Sequence, residues 1–189
     1  MYKRTSSLVA VAGLAGLGLM MMAPAVHADE RVCRGYIGKI TVDNLRVPQN
    51  ATCTLYGTRV KGNVTVQYGS TLKARRIVVI GNVQAENSKL VQVLENSRVG
   101  GDVQLKQGGR ASVNDSHVDG DIQFESNHGM LRALRNDVGG NLQVMQNVGG
   151  VELRRNIIDG NLQCKANYPA PIGGGNVVGG NKEDQCRRL

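Results

Sequence analysis

The sequence predicts an all-β fold, a single-stranded right-handed parallel β-helix (β-solenoid) with coils of 19–20 residues, and three observations predict it. A Gly followed by Asn or Asp recurs at Gly62-Asn63, Gly81-Asn82, Gly101-Asp102, Gly120-Asp121, Gly140-Asn141, Gly160-Asn161 and Gly180-Asn181, always 19 or 20 residues apart. Self-similarity at one fixed period is the signature of a solenoid and outranks local propensity. Apolar residues then recur on both sides of each Gly with a spacing of two, the alternation of a half-buried strand. Finally, 25 Gly, no Trp, 5 Tyr and 1 Phe in 189 residues leave a core of Val, Leu and Ile and a chain rich in turns. The 19 and 20 counts do not fit strict hexapeptide coils, which favours the right-handed helix, and the calcium-binding nonapeptide pattern is missing.

The first 28 residues read as a signal peptide. Lys3 and Arg4 form a basic start, Leu8 to Met22 an uncharged apolar run, and Val26-His27-Ala28 a small-residue cleavage site. The run is too short for a bilayer span and Pro24 follows it. A secreted or periplasmic protein with no membrane span is therefore expected, with residues 29–189 as one β-helix domain whose coils run from about Gly38 to Gly180. Removing Lys3 and Arg4 with the leader takes the formal charge from +8 to +6. A basic exported protein can adhere to teichoic acid, lipopolysaccharide, acidic polysaccharide or extracellular DNA, although such a charge also serves solubility.

Within each coil the elements follow in order. Two residues before the Gly stand Val60, Val79, Val99, Val118, Val138, Ile158 and Val178; two after it Val64, Val83, Val103, Ile122, Leu142 and Leu162. Four after it come Val66, Ala85, Leu105, Phe124, Val144 and Cys164. These are inward columns. About half a coil later a second apolar pair recurs, as Leu72 with Ala74, Val91 with Val93, Ala111 with Val113, Leu131 with Ala133 and Val151 with Leu153. Each coil thus has two or three short strands, and an earlier degenerate coil uses Asp43-Asn44 in the Gly-Asn slot. Asn50, Asn127, Asn147 and Asn167 mark turns and are expected in left-handed conformations. Outward, Thr65, Gln84, Gln104, Gln123, Gln143 and Gln163 form a column expected to stack as an amide ladder, beside a partly charge-alternating column of Gln67, Glu86, Lys106, Glu125, Met145 and Lys165.

Four cysteines lie at the two ends. Cys33 and Cys53 are one coil apart and Cys164 and Cys186 span the last turn, so end-local disulfides Cys33–Cys53 and Cys164–Cys186 are expected in an oxidising compartment. A zinc site would need a Cys-x-x-Cys or paired His that the sequence lacks.

Candidate sites are few. Asp102 and Asp121 occupy adjacent coils of a column that is otherwise Asn, and Asp119 flanks the same turn, so the three could hold a cation such as Ca²⁺ or serve a small polysaccharide-cleaving enzyme, a lyase or hydrolase. Asp and Asn are also interchangeable turn residues. Arg75, Arg76, Arg135, Arg154 and Arg155 mark one corner; of these Arg76, Arg135, Arg154 and Arg155 are the anion-binding candidates, with Asn96 and Asp115 interrupting the column. His117 falls between Arg98 and Asp137, where an ion-pair ladder accounts for it as well as a general base would. No cofactor and no specific nucleic acid is expected.

The stretches Gly81-Asn82-Val83-Gln84, Gly120-Asp121-Ile122-Gln123 and Gly160-Asn161-Leu162-Gln163, with the closing Gly179-Gly180-Asn181-Lys182, resemble an uncharacterised family of exported bacterial repeat proteins with a parallel β-helix. The resemblance covers nearly the whole chain after the leader; it implies no known activity and gives no residue a role. The predicted fold is also similar to that of pectate lyases and polygalacturonases, whose clefts need long loops and, in polygalacturonases, Gly-His-Gly and paired-Asp signatures missing here, and to that of the end-to-end polymerising bactofilins. The expected function is a non-enzymatic structural or adhesive role at the bacterial envelope or outside the cell, with an anionic polymer or polysaccharide as candidate partner.

Overall fold

The computed structural model describes residues 29–189; the signal peptide expected at residues 1–28 falls outside them. The chain winds through about eight turns, each crossing three parallel sheets. Sheet I has nine strands, from Glu30–Val32 to Lys182–Asp184. Sheet II has eight, from Gly35–Ile37 to Ile172–Gly174, and sheet III eight short ones, from Thr41–Val42 to Val177–Val178. Paired strands therefore extend past the Gly38–Gly180 span read from the sequence. The first step is shorter than the repeat, with Glu30 opposite Asn44, so the period cannot reveal it.

The inward columns stack in register. Val64, Val83, Val103, Ile122, Leu142 and Leu162 are mutual neighbours along sheet I, all fully buried. The second apolar pair does the same on sheet II, where Leu72, Val91, Ala111, Leu131 and Val151 follow one another. Each fully buried Leu or Ile removed from water stabilises the coil by about 1.5–3 kcal/mol, and its partners lie one coil above and below.

Three polar columns close the corners. In the first, each Gly-Asn turn hands its Asn or Asp Oδ1 to the next coil: the backbone N–H of Asn63 donates to Asn44 Oδ1 (2.9 Å), that of Asn82 to Asn63 (2.8 Å), and so on to Asn181 on Asn161 (2.8 Å). The Gly before each Asn is required by the same contact, because a Cβ on Gly62 or Gly140 would overlap the Oδ1 of Asn44 or Asp121. In the second, Asn127, Asn147 and Asn167 turn inward and are buried. Asn147 Nδ2 donates to Phe124 O and Asn167 Oδ1, both 2.9 Å, while Asn147 Oδ1 accepts from the backbone N–H (2.9 Å) and Nδ2 (3.0 Å) of Asn127. The third column, Asn136, Asn156 and Asn176, repeats this between sheets II and III. The left-handed residues expected at Asn127, Asn147 and Asn167 are instead Ser126, Gln146 and Ala166, one position earlier, whereas Asn50 is left-handed as expected. Turning the chain one residue early aims the asparagine into the core, where its amide matches the coil spacing.

Cys33 and Cys53 pair at the first coil, with Cα atoms 5.6 Å apart, and Cys164 and Cys186 at the last, 5.2 Å apart. The four cysteines are buried, and Leu189 packs against the core at the C-terminal end. Both pairs are compatible with an oxidising location. No helix among the described residues is long and apolar enough to cross a membrane.

Candidate functional site

Chemistry in this fold has only the outward columns to use, and the three faces differ in charge. The strands of sheet II carry five basic side chains, Lys73, Arg75, Arg110, Arg132 and Arg154, and one acid, Glu152. Those of sheet I carry five of each sign. Sheet II is therefore the basic face. Arg75 pairs with Glu95 at the adjoining turn (2.9 Å), and Glu152 is shared by Arg154 (2.6 Å) and Arg132 (3.4 Å). The hydrogen bond from Arg154, reinforced by Arg132, holds the Glu152 carboxyl below the ordinary carboxylate range. Lys73 and Arg110 have no ion-pair partner among the described residues. Together with Arg132 they surround a dip of about 310 Å³ floored by the uncharged Gln92 and Ser112, with Leu90 and Met130 at its side.

The sequence points to this face through the residue between each second apolar pair: Lys73, Gln92, Ser112, Arg132 and Glu152 are that column. Its basic members are scattered along the chain, so a search for charge runs passes over them.

The arginine corner forms as a column, but most of it is occupied. Arg76, Asn96, Asp115, Arg135 and Arg155 are left-handed residues stacked at the sheet II–III corner. Arg135 makes a two-pronged bond to Asp115 (2.5 and 2.8 Å), which holds the Asp115 carboxyl below its usual value. Arg76 donates to the Tyr56 hydroxyl (3.0 Å), lies 5.6 Å over its ring and stands 3.7 Å from Glu95. Arg154 is held by Glu152; Arg155 has no ion pair among the described residues. Asp115, which in the sequence interrupts the basic column, is the counter-ion of Arg135.

The acidic trio is not gathered. Asp102 Oδ1 accepts the Asp121 N–H (2.9 Å) and Asp121 Oδ1 that of Asn141 (2.6 Å), so both serve the turn ladder. Their second oxygens accept from Gln104 Nε2 (3.2 Å) and Gln123 Nε2 (3.3 Å). Asp119 faces the other way, 2.6 Å from His117 Nε2, while His117 Nδ1 meets Asp137 (2.9 Å). His117 does stand between Arg98 and Asp137 on sheet III. No set of three His, Cys, Asp or Glu able to hold a metal forms among the described residues.

The glutamine column stacks as an amide ladder in part: Gln84 Nε2 donates to Gln104 Oε1 (3.2 Å) and Gln143 Nε2 to Gln163 Oε1 (3.0 Å). Between them Gln104 and Gln123 turn to their aspartates. In the neighbouring column Lys106 pairs with Glu125 (2.9 Å).

These features define a parallel β-solenoid with one basic face. No protein-family model, curated protein or solved structure matches the chain.

Proposed function

We propose that this protein is an exported, non-enzymatic solenoid rod, delivered by the leader at residues 1–28, that holds an anionic polymer of the bacterial envelope or an acidic polysaccharide on its basic face. The observation that carries this reading is the surplus of cations on the strands of sheet II, concentrated at Lys73, Arg110 and Arg132 around the Gln92–Ser112 dip. Coils repeat at about 4.8 Å, so such cations form a line along the axis, a geometry suited to a repeating polyanion. Arg155 extends the line at the corner. The ladder bonds of Asp102 and Asp121 support binding over cleavage, because each carboxylate already accepts from two partners.

Retention on polygalacturonate beads and on uncharged dextran beads across a salt series tests the reading. The protein is expected on the polyanion alone, eluting as salt screens the contacts. Lys73→Gln, Arg110→Gln and Arg132→Gln together should weaken retention about tenfold, at up to ~1 kcal/mol for each exposed contact. Equal retention on both beads, indifference to salt, or an unaffected triple variant would refute it.

A further inference from the structure

Sheet I carries a concavity of a different kind. A groove of about 700 Å³ lies over its N-terminal half, a volume in the range of small-ligand sites. Thr65, Gln84 and Gln104 form its floor as direct neighbours on successive strands. Its wall is the turn at Gln67 and Tyr68, with Asn87 from the following coil. That turn is fixed: Gly69 is left-handed, Ser70 N–H donates to Gln67 O (3.2 Å), and Gly69 N–H to Asn87 O (2.8 Å). Tyr68 is 60% exposed, its ring standing beside the groove.

Two amides in the groove, Gln84 and Gln67, are held by a neighbour with one side left open. Gln84 spends Nε2 on Gln104 and keeps Oε1; Gln67 spends Oε1 on the Gln49 N–H (3.2 Å) and keeps Nε2. Among the described residues no side-chain partner meets the Thr65 hydroxyl, the Asn87 amide or the Tyr68 hydroxyl. Open donors and acceptors thus lie together on the floor and wall. Of the charges in the lining, Lys106 is held by Glu125 (2.9 Å), while Glu86, its neighbour in register, has no ion pair among the described residues, so the groove offers no free cation to an anionic ligand and an open carboxylate to hydroxyl donors. A ligand matching this has groups that both donate and accept, no negative charge, and an apolar face for one aromatic ring. Hydroxyl-bearing sugar rings meet all three conditions. A peptide backbone matches less well, because its strand-like pairing needs a free sheet edge and this is a sheet face.

We propose that the amide-floored groove of sheet I, between Tyr68 and Lys106, binds an uncharged glycan chain lying along the solenoid axis. The site is independent of the basic face and stands or falls without it.

Saturation-transfer NMR on the full chain, with hexamers of α-1,4-glucose, β-1,4-glucose and β-1,4-N-acetylglucosamine as probes, is the test. At least one hexamer should receive transfer from the protein, unchanged in 0.5 M NaCl and in the Lys73/Arg110/Arg132 triple variant. Tyr68→Ala and Gln84→Ala should each weaken binding at least fivefold, and Thr65→Arg, which fills the floor, should abolish it. All three positions are on the surface, and far-UV circular dichroism would establish that each variant is folded. The proposal is overturned if no hexamer binds, if binding survives Thr65→Arg in the folded variant, if salt removes it, or if an uncharged hexapeptide displaces the sugar equally well.

Discussion

Replacing Asn147 by Ala removes four hydrogen bonds at a fully buried position. The Asn127 amide still donates to Leu105 O (2.9 Å), and Asn167 Oδ1 still accepts the backbone N–H of residue 147 (3.0 Å), so those side chains are only partly stranded. The Asn127 backbone N–H and the Phe124 carbonyl lose the partner described above. At about 1–3 kcal/mol for each buried group left unpaired, the total is about 3–6 kcal/mol, a large share of the ~5–15 kcal/mol typical of a folded domain. Asn147→Leu separates this cause from a cavity: Leu fills the volume but strands the same groups, so it should be about as damaging as Ala. Gln143→Ala, which removes one surface ladder bond, should cost about 0.5–1 kcal/mol. Urea unfolding followed by far-UV circular dichroism measures the three variants. Hydrogen exchange should place the loss in the coils flanking Asn147 and spare those near Val64, because each coil contacts only its neighbours. Recovery of stability in Asn147→Leu, or an Asn147→Ala cost no greater than that of Gln143→Ala, would refute the reasoning.

Gly140→Ala should lower stability by about 1–3 kcal/mol, since its Cβ would overlap Asp121 Oδ1 and push the turn apart; a thermal melt set against the more open Gly38→Ala checks it. Asp115 is held below its unfolded value of about 3.9, so its pair with Arg135 contributes above that pH, and the contribution disappears as pH falls through the lowered folded value. The pair is exposed, so the amount is at most ~1 kcal/mol; Asp115→Asn should lose that amount at neutral pH and flatten that part of an acid titration of stability, the variant and the wild type converging at low pH. Cys186→Ser opens the 22-residue link to Cys164 and should cost about 3 kcal/mol, read as faster hydrogen exchange in Leu162–Lys165 and Lys182–Asp184 with the middle coils unchanged.

The inward columns were legible because one period repeats through them, and the end cysteines because their spacing matches a coil. The asparagines were only half legible. A turn asparagine can be left-handed, as Asn50 is, or can point its amide into the core, as Asn147 does, and both give the same letter at the same place. The choice depends on which residue turns the corner, and at Gln146 that is a residue with no special preference for the conformation. Asp115 was read as a gap in the arginine column because pairing between coils is invisible along the chain; its partner Arg135 is one coil away. The sheet I groove had no sequence signal, since it depends on how far the Gln67–Ser70 turn stands out from the floor.

The same division explains where function can reside. Inward side chains and the corner ladders hold coil to coil, and they draw mainly on Val, Leu, Ile, Ala, Gly and Asn. The outward positions between them touch neighbours mostly through exposed contacts, each worth little to stability. They are therefore free to differ from face to face. Sheet I has balanced charge and an amide floor; sheet II has a cationic surplus around uncharged side chains. Such a scaffold suits ligands that are themselves linear and repetitive, because once one repeat is bound the next is held at a high effective concentration over the following coil. The two proposed sites share that geometry and differ only in the chemistry of the column that lines them.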